Sequence, residues 1–329
     1  MNSQSYTGDY SVSVVIPAYN VGKYVARAIH SVMSQTQAAA EIIVVDDGST
    51  DDTAEVVGSF GEDVIFIRQP RSGASVARNA GINAAKSEWI AFLDADDEWL
   101  PEKLAIQTEH LRRNPDLKWS ATNYEIRPMD GSPARITYEP ERFDLPADDK
   151  EYFDNYLDAV AEGMALSTIT IMIKKQVIID AGMFCVDQRW AEDSDLFFRI
   201  AYRHPRMGYV RRSLSINHFG RAGSLTQSND LNVSWRCDLI EKHLSLAARW
   251  GMTRPFRRCA LTLLTRWLRG YVDEPSVDIS EMLDRFKDIL PLSIRVEMWV
   301  RRALPGLASM LFRGYFALKR RLRGGGESE

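Results

Sequence analysis

The sequence predicts an α/β fold: a doubly wound, mainly parallel sheet with flanking helices, followed by an α-helical C-terminal region. Three observations carry this. Short apolar, β-branched runs alternate with helix-period segments over about the first 95 residues, the pattern of parallel strands joined by crossover helices. Each run ends in a polar, turn-forming stretch, and right-handed crossovers bring such ends to one edge of the sheet. From Leu231 onward only helical periodicity is visible.

Taken in order, Val12–Ile16 is a buried first strand closed by Pro17. Asn20 is placed to cap a helix whose apolar face is Val21, Tyr24, Val25, Ala28, Ile29 and Val32. Ile42–Val45 is a second strand running into Asp46-Asp47-Gly48-Ser49-Thr50-Asp51, where Gly48 permits a tight turn and Ser49, Thr50 or Asp51 can cap the next helix. Val64–Ile67 is a third strand, and Gly73–Ala85 a helix with Ala74, Ala77 and Gly81 as its small-residue face. The fourth strand ends in the stretch on which the chain centres, Ile90-Ala-Phe-Leu-Asp94-Ala95-Asp96-Asp97-Glu98-Trp99.

Residues two apart in extended chain point to one side, so Asp94 and Asp96 converge just past the strand end, where open α/β sheets bind ligands. Oxygen-rich sets of this kind suit Mg²⁺ or Mn²⁺, ions that also hold substrate phosphates. The plainer alternative is an acidic turn in which Asp97 caps a helix starting near Pro101.

Beyond a helix at Pro101–Arg113, Trp119–Ile126 is a candidate strand, and the stretch to Asp149 reads as loop. Ser167–Ile173 is a strong strand. In Glu192-Asp193-Ser-Asp195 the acids open a helix faced by Leu196, Phe197 and Ile200, where they either complement its dipole or do chemistry. Met207–Ile216 reads as two short strands leading to His218, and Gly220–Leu225 as a loop. Helices are expected at 231–250, 254–270, 278–289, 292–303 and 305–322.

The 329 residues are 45% hydrophobic and 26% charged, ample for a large core, and the pattern divides them into 1–228 and 229–329. Cys185, Cys237 and Cys259 form no C-x-x-C pair, which favours a reducing compartment and argues against zinc. Residues 1–10 lack a basic leader, and no apolar run reaches about 18 residues, so neither a signal peptide nor a spanning helix is expected. The first β–α turn, Pro17-Ala18-Tyr19-Asn20, carries no G-x-G-x-x-G, and no phosphate loop of the G-x-x-x-x-G-K-[ST] type occurs.

The net charge of −4 is uneven: Met298–Gly326 holds seven basic residues and no acidic one. That distribution excludes nucleic acid as the expected partner and points to an anionic surface at one end. Within it, Leu304, Leu307, Leu311, Tyr315, Leu318 and Leu322 fall within about 80° of one another at 100° per residue. Residues 305–323 are thus expected either to pack on the body or to lie in an anionic membrane surface.

Together these pieces resemble the family 2 glycosyltransferases, inverting enzymes of the GT-A fold that use nucleotide-sugar donors. The resemblance rests on Val12–Asn20, Val45–Thr53, Gly73–Asn79 with Ala77-Arg78-Asn79, Phe92–Asp97, and Glu192-Asp193 ahead of Leu196 and Arg199, in order over about residues 12–225. It implies a nucleotide-sugar site at Pro17, Ala18, Tyr19, Asn20, Asp47, Arg78, Asp94 and Ala95. Tyr19 would stack beside the base, Asp47 accept from a uracil-type N–H, and Arg78 face the diphosphate. Asp94 would hold the ribose or sugar, Asp96 the Mn²⁺ or Mg²⁺, with His218 a further metal ligand and Asp193 the general base.

The implied activity is transfer from a nucleotide-diphosphate sugar, UDP favoured, to a saccharide or lipid-linked saccharide. The setting is bacterial surface polysaccharide assembly, with the protein cytoplasmic or peripheral on the inner face of the membrane. A polyprenyl-phosphate sugar synthase is the alternative within the transferases. A sugar nucleotidyltransferase would need a Gly-rich basic loop after the first strand, and a non-catalytic sugar- or nucleotide-binding module would not need a separate base.

Overall fold

A computed structural model describes residues 10–136, 151–188, 190–220, 232–274 and 276–304. Its centre is β1 (Val12–Ala18), flanked in parallel by β2 (Glu41–Asp46) and β4 (Trp89–Phe92), with β3 (Ile65–Arg68) outside β2. Val15 sits opposite both Ile43 and Phe92, so the three strand ends lie side by side. Alternate residues of β1 feed two cores. Val14 and Ile16 join Val25, Ala28, Ile29 and Val32 of α1 (Gly22–Met33) on one face. Val15 joins Ala77 and Ile82 of α3 (Ala74–Ala84) on the other. Burial on both faces explains why these strands are apolar throughout rather than alternating.

Gly81 shows why α3 has a small-residue face: a Cβ there would stand 2.3 Å from Val15 Cγ1. α2 (Thr53–Gly58) follows the β2 turn, where Gly48 at φ +75° backs onto the Arg71 amide.

Past β4 the sheet becomes mixed. β9 (Ile171–Lys174) lies antiparallel between β4 and β6 (Trp119–Pro128), and β10 (Met207–Phe219) runs parallel to β6. Short β5 (Glu98–Trp99) closes the order β3-β2-β1-β4-β9-β6-β10-β5, with β7 (Arg135–Ile136) on β6 and β8 (Tyr152–Phe153) on β10. The expected pair of strands in 207–216 is one strand whose register slips between Val210 and Ser215. The strand expected from Ser167 starts later, because Thr168–Thr170 forms a 3₁₀ turn.

α4 (Lys103–Arg113) follows β5. It is not capped by Asp97, which lies inside the protein. α5 (Tyr156–Ala161), α6 (Lys175–Asp180) and α7 (Glu192–Arg203) cover the sheet. Asn20 does not cap α1: the cap position is Val21, and Asn20, at φ 50°, instead accepts from the Thr50 amide at 2.9 Å.

The C-terminal helices α8 (Val233–Arg249), α9 (Thr253–Tyr271), α10 (Ser280–Arg285) and α11 (Leu292–Ala303) appear where expected. α8 and α9 share a core with α5 and α7: Phe198 meets His243 at 5.1 Å and Phe256 at 5.5 Å between ring centroids. Among the described residues no helix is long and apolar enough to cross a membrane. The helix expected at 305–322, most of the loop to Asp149 and residues 221–225 lie outside the described residues.

Candidate active site

The carboxyl end of β4 is joined to the start of α7 by one side chain. Arg78, on α3 and 5% exposed, donates from Nη2 to Asp94 Oδ1 at 2.9 Å and from Nη1 to Glu192 Oε1 at 2.8 Å. Burial alone would weaken its hold on the proton, but the two carboxylates outweigh that and raise its pKa. Asp94 is completed by Thr168, whose hydroxyl donates at 3.2 Å. Residues 78, 94, 168 and 192 thereby meet at one point. With Nη1 and Nη2 each on a carboxylate, Arg78 is a strut between two acids, while its buried Nε has no partner among the described residues.

Beyond Asp94, buried Ala95 turns the chain so that Asp96 emerges part-exposed and Asp97 turns inward, 1% exposed. Asp97 accepts from the His218 amide at 2.8 Å and from Asn217 at 2.9 Å, tying β10 to the end of β4. Burial, reinforced by Asp94 and Asp96, pushes its carboxyl well above the usual range. The His218 ring lies 3.0 Å from Glu98 Oε1. This crowding of negative charge suits a hard divalent cation. Among the described residues no three His, Cys, Asp or Glu side chains gather into a ready-made cage. Mg²⁺ and Mn²⁺ need no such cage, since one or two carboxylates plus substrate phosphates hold them. Asp96 therefore fits the role in chemistry, and the His218 ring, held at Glu98, is a donor of the right type on the adjoining strand.

At the ends of β1 and β2, Pro17 and Ala18 pair with Val45 and Asp46. Asp46 accepts from the Ser49 amide and faces Arg68 at 3.1 Å. Asp47, 4% exposed, accepts from Gln69 at 2.7 Å and from the Ser72 and Gly73 amides at 2.8 and 2.7 Å. A carboxylate has about four acceptor positions, so roughly one remains for a ligand N–H. The loop that Asp47 holds carries Arg71, whose guanidinium lies over the Tyr19 ring at 4.1 Å and donates to its hydroxyl at 2.5 Å.

Asp193 and Asp195, two residues apart on α7, are in opposite environments. Ala191, the residue before α7, is held at φ 54°, a left-handed conformation unusual for a residue with a Cβ. Asp193 is part-exposed and, among the described residues, accepts only from Ser194, at 2.6 Å from its amide and 3.3 Å from its hydroxyl. Burial and then Glu192 push its carboxyl up to about 6, against a smaller opposing pull from Ser194 and Arg78. Asp195 is fully buried and meets Arg199 at 2.6 Å, Lys242 at 2.5 Å and His243 at 3.1 Å. Burial works against its charge, but His243, Arg199 and Lys242 prevail and hold it well below the usual range. Asp193 is poised to exchange a proton near neutrality; Asp195 locks α7 to α8.

Residues 13–161 match the family model for glycosyl transferase family 2. TuaG of Bacillus subtilis, named for teichuronic acid biosynthesis, is 32% identical over 171 residues, 50% of this chain and 62% of that protein. The UDP-Glc:alpha-D-GlcNAc-diphosphoundecaprenol beta-1,3-glucosyltransferase WfgD of Escherichia coli is 36% identical over 138 residues, 40% of this chain and 54% of that protein. The chain thus spans less than two thirds of either relative. Among solved structures, S. aureus TarS 1–349 superposes with a TM-score of 0.66 at 16% identity, covering 97% of this chain and 93% of that one. At that identity the likeness is one of fold: a GT-A-like sheet with a helical C-terminal region.

The segment that matches the model brings its expected residues to one edge of the sheet: Pro17 to Asn20, Asp47, Arg78, and Asp94 to Asp97, with Glu192 joined through Arg78. Two residues of the site were not singled out in the sequence. Arg71 lies just past β3, itself a strand end on that edge, which is a signal available in advance. Thr168 sits in a turn that leads into an antiparallel strand, and nothing near it in sequence marks it.

Proposed function

We propose that the protein is an inverting, metal-dependent glycosyltransferase. It moves a sugar from a nucleoside-diphosphate donor, UDP-sugar favoured, to a hydroxyl of a saccharide or lipid-linked saccharide in bacterial surface polysaccharide assembly. The observation that carries this reading is the Arg78 strut, which sets the donor-side Asp94 and the Glu192-Asp193 pair against one guanidinium although they are distant in sequence. The donor class is supported by TarS, solved with UDP and with UDP-GlcNAc, and by the donor and acceptor named for WfgD.

Inversion is a single displacement at the anomeric carbon, with one base facing the side opposite the leaving group. Asp193, with a carboxyl at about 6, takes the proton of the acceptor hydroxyl as the new glycosidic bond forms. Asp94, held by Arg78 and Thr168, orients the donor sugar or ribose. Tyr19, under Arg71, offers a ring for the base, and the remaining acceptor position of Asp47 takes its N–H. What Mg²⁺ or Mn²⁺ supplies when held by Asp96 and the donor phosphates is neutralisation of charge on the departing diphosphate. The test is a panel of UDP-, GDP- and TDP-sugars assayed for donor turnover with and without Mn²⁺. UDP-sugar turnover that chelator abolishes is expected. No turnover of any nucleotide sugar, or turnover indifferent to chelator, would overturn the reading.

A further inference from the structure

We propose that the outer face of α11 is a docking surface for an anionic lipid bilayer. The helix is fixed on one side. Met298 is fully buried, and the Glu297 carboxylate takes two bonds from Arg269, Nε to Oε1 at 2.9 Å and Nη2 to Oε2 at 2.8 Å. On the opposite side, at 100° per residue, Leu292, Val296 and Trp299 fall within about 60° of one another. They are 70%, 48% and 65% exposed. A helix that packs only inward has no use for a Leu, a Val and a Trp in water, and contiguous exposed apolar surface marks an interaction site. Trp suits an interface that is apolar on one side and wet on the other.

Charge chooses the occupant. Arg295 and Arg302 border the stripe along one edge, and Arg295 makes no ion pair among the described residues. Arg302 is steadied by the Val277 carbonyl, which leaves its charge in place. The sequence that follows Leu304 directly is basic and free of acids to Gly326, with an apolar stripe of its own. A second copy docked face to face and antiparallel would set the arginine edges against each other. The chain's own basic continuation folded back over the stripe would do the same. An anionic bilayer takes the apolar stripe at the headgroup–acyl boundary and the arginines among its phosphates, with no like-charge conflict.

The inference does not depend on the transferase chemistry: vesicle binding reads the α11 face, and donor turnover reads the site. The experiment compares the full chain with the triple variant Leu292→Glu, Val296→Glu, Trp299→Glu. Both are cosedimented at low salt with phosphatidylglycerol-containing vesicles and with pure phosphatidylcholine vesicles. The full chain should pellet with the anionic vesicles alone, and the variant should bind them at least about tenfold more weakly. In the absence of vesicles the variant should melt at the wild-type temperature and turn over donor at the wild-type rate. Three results would overturn the proposal. Unchanged vesicle binding by the variant would show that α11 is not the contact. A lower melting temperature would show that the chain itself covers the stripe. A wild-type dimer that the variant dissociates would make the face an interface between copies.

Discussion

Replacing Asp193 by Asn keeps the shape of the side chain and its acceptor oxygen for the Ser194 amide, but removes the charge and the base. The carboxyl is raised from its ordinary 3.8 to about 6, so ionising it in the folded chain carries a penalty. At about 1.4 kcal/mol per unit, discounted for partial exposure, that penalty is about 1–3 kcal/mol. Because the folded-state value lies above the unfolded one, the folded chain holds this proton more tightly. The stability tied to Asp193 is complete below about pH 4 and is lost as pH rises through about 6. Asp193→Asn should therefore be more stable than wild type at pH 8, with the difference vanishing near pH 4. Turnover should fall by about 10²–10⁴-fold with donor affinity nearly unchanged. In wild type, kcat/KM should climb with pH through about 6, a limb absent from the residual activity of the variant. Denaturant melts at the two pH values, with steady-state kinetics across the range, read all of this. A variant that is less stable at pH 8 and turns over normally would make Asp193 a helix-capping acid and refute the assignment.

Asp195→Asn is the matched contrast: leaving Arg199, Lys242 and His243 without their shared carboxylate should cost about 3–5 kcal/mol in chemical denaturation. A loss of activity without a loss of stability would mean that Asp195 acts in the chemistry. Asp96→Ala should abolish the Mn²⁺-dependent part of donor affinity in calorimetric titration, whereas wild-type turnover by this variant in chelator would remove the metal site from the account. Asp47→Ala should raise donor KM more than it lowers kcat, since base recognition is largely uniform binding. Equal effects with UDP-, GDP- and TDP-sugars would withdraw the support for direct base recognition.

The parallel half of the fold was legible because its signals are local. Val12–Ile16 and Ile42–Val45 are short, apolar and β-branched, and each is followed by a helix of clear period. Direction is not local. Nothing in Ile171–Lys174 says that it runs antiparallel between β4 and β6, and periodicity alone cannot distinguish a slipped strand such as Met207–Phe219 from two short ones. In the site, the strand-end acids follow from the topology, whereas the division of labour among them depends on burial. Asp96 and Asp97 are neighbours in sequence, yet one emerges part-exposed and the other is held inside by Asn217 and the His218 amide. A helical wheel puts Asp193 beside Leu196, Phe197 and Ile200 and Asp195 about 200° away, yet α8 delivers Lys242 and His243 to Asp195 and buries it. Asn20 read as a cap because Asn before a helix usually is one, but the neighbouring β2 turn offered its side chain the Thr50 amide instead.

Single displacement with Asp193 as base fixes the stereochemistry of transfer. With an α-linked UDP-sugar and a hydroxyl acceptor, one-dimensional proton spectra of the first product formed should show a β-anomeric coupling. The rate of its appearance should collapse in Asp193→Asn. An α-linked first product, or a β-linked one formed at the wild-type rate by the variant, would contradict the mechanism.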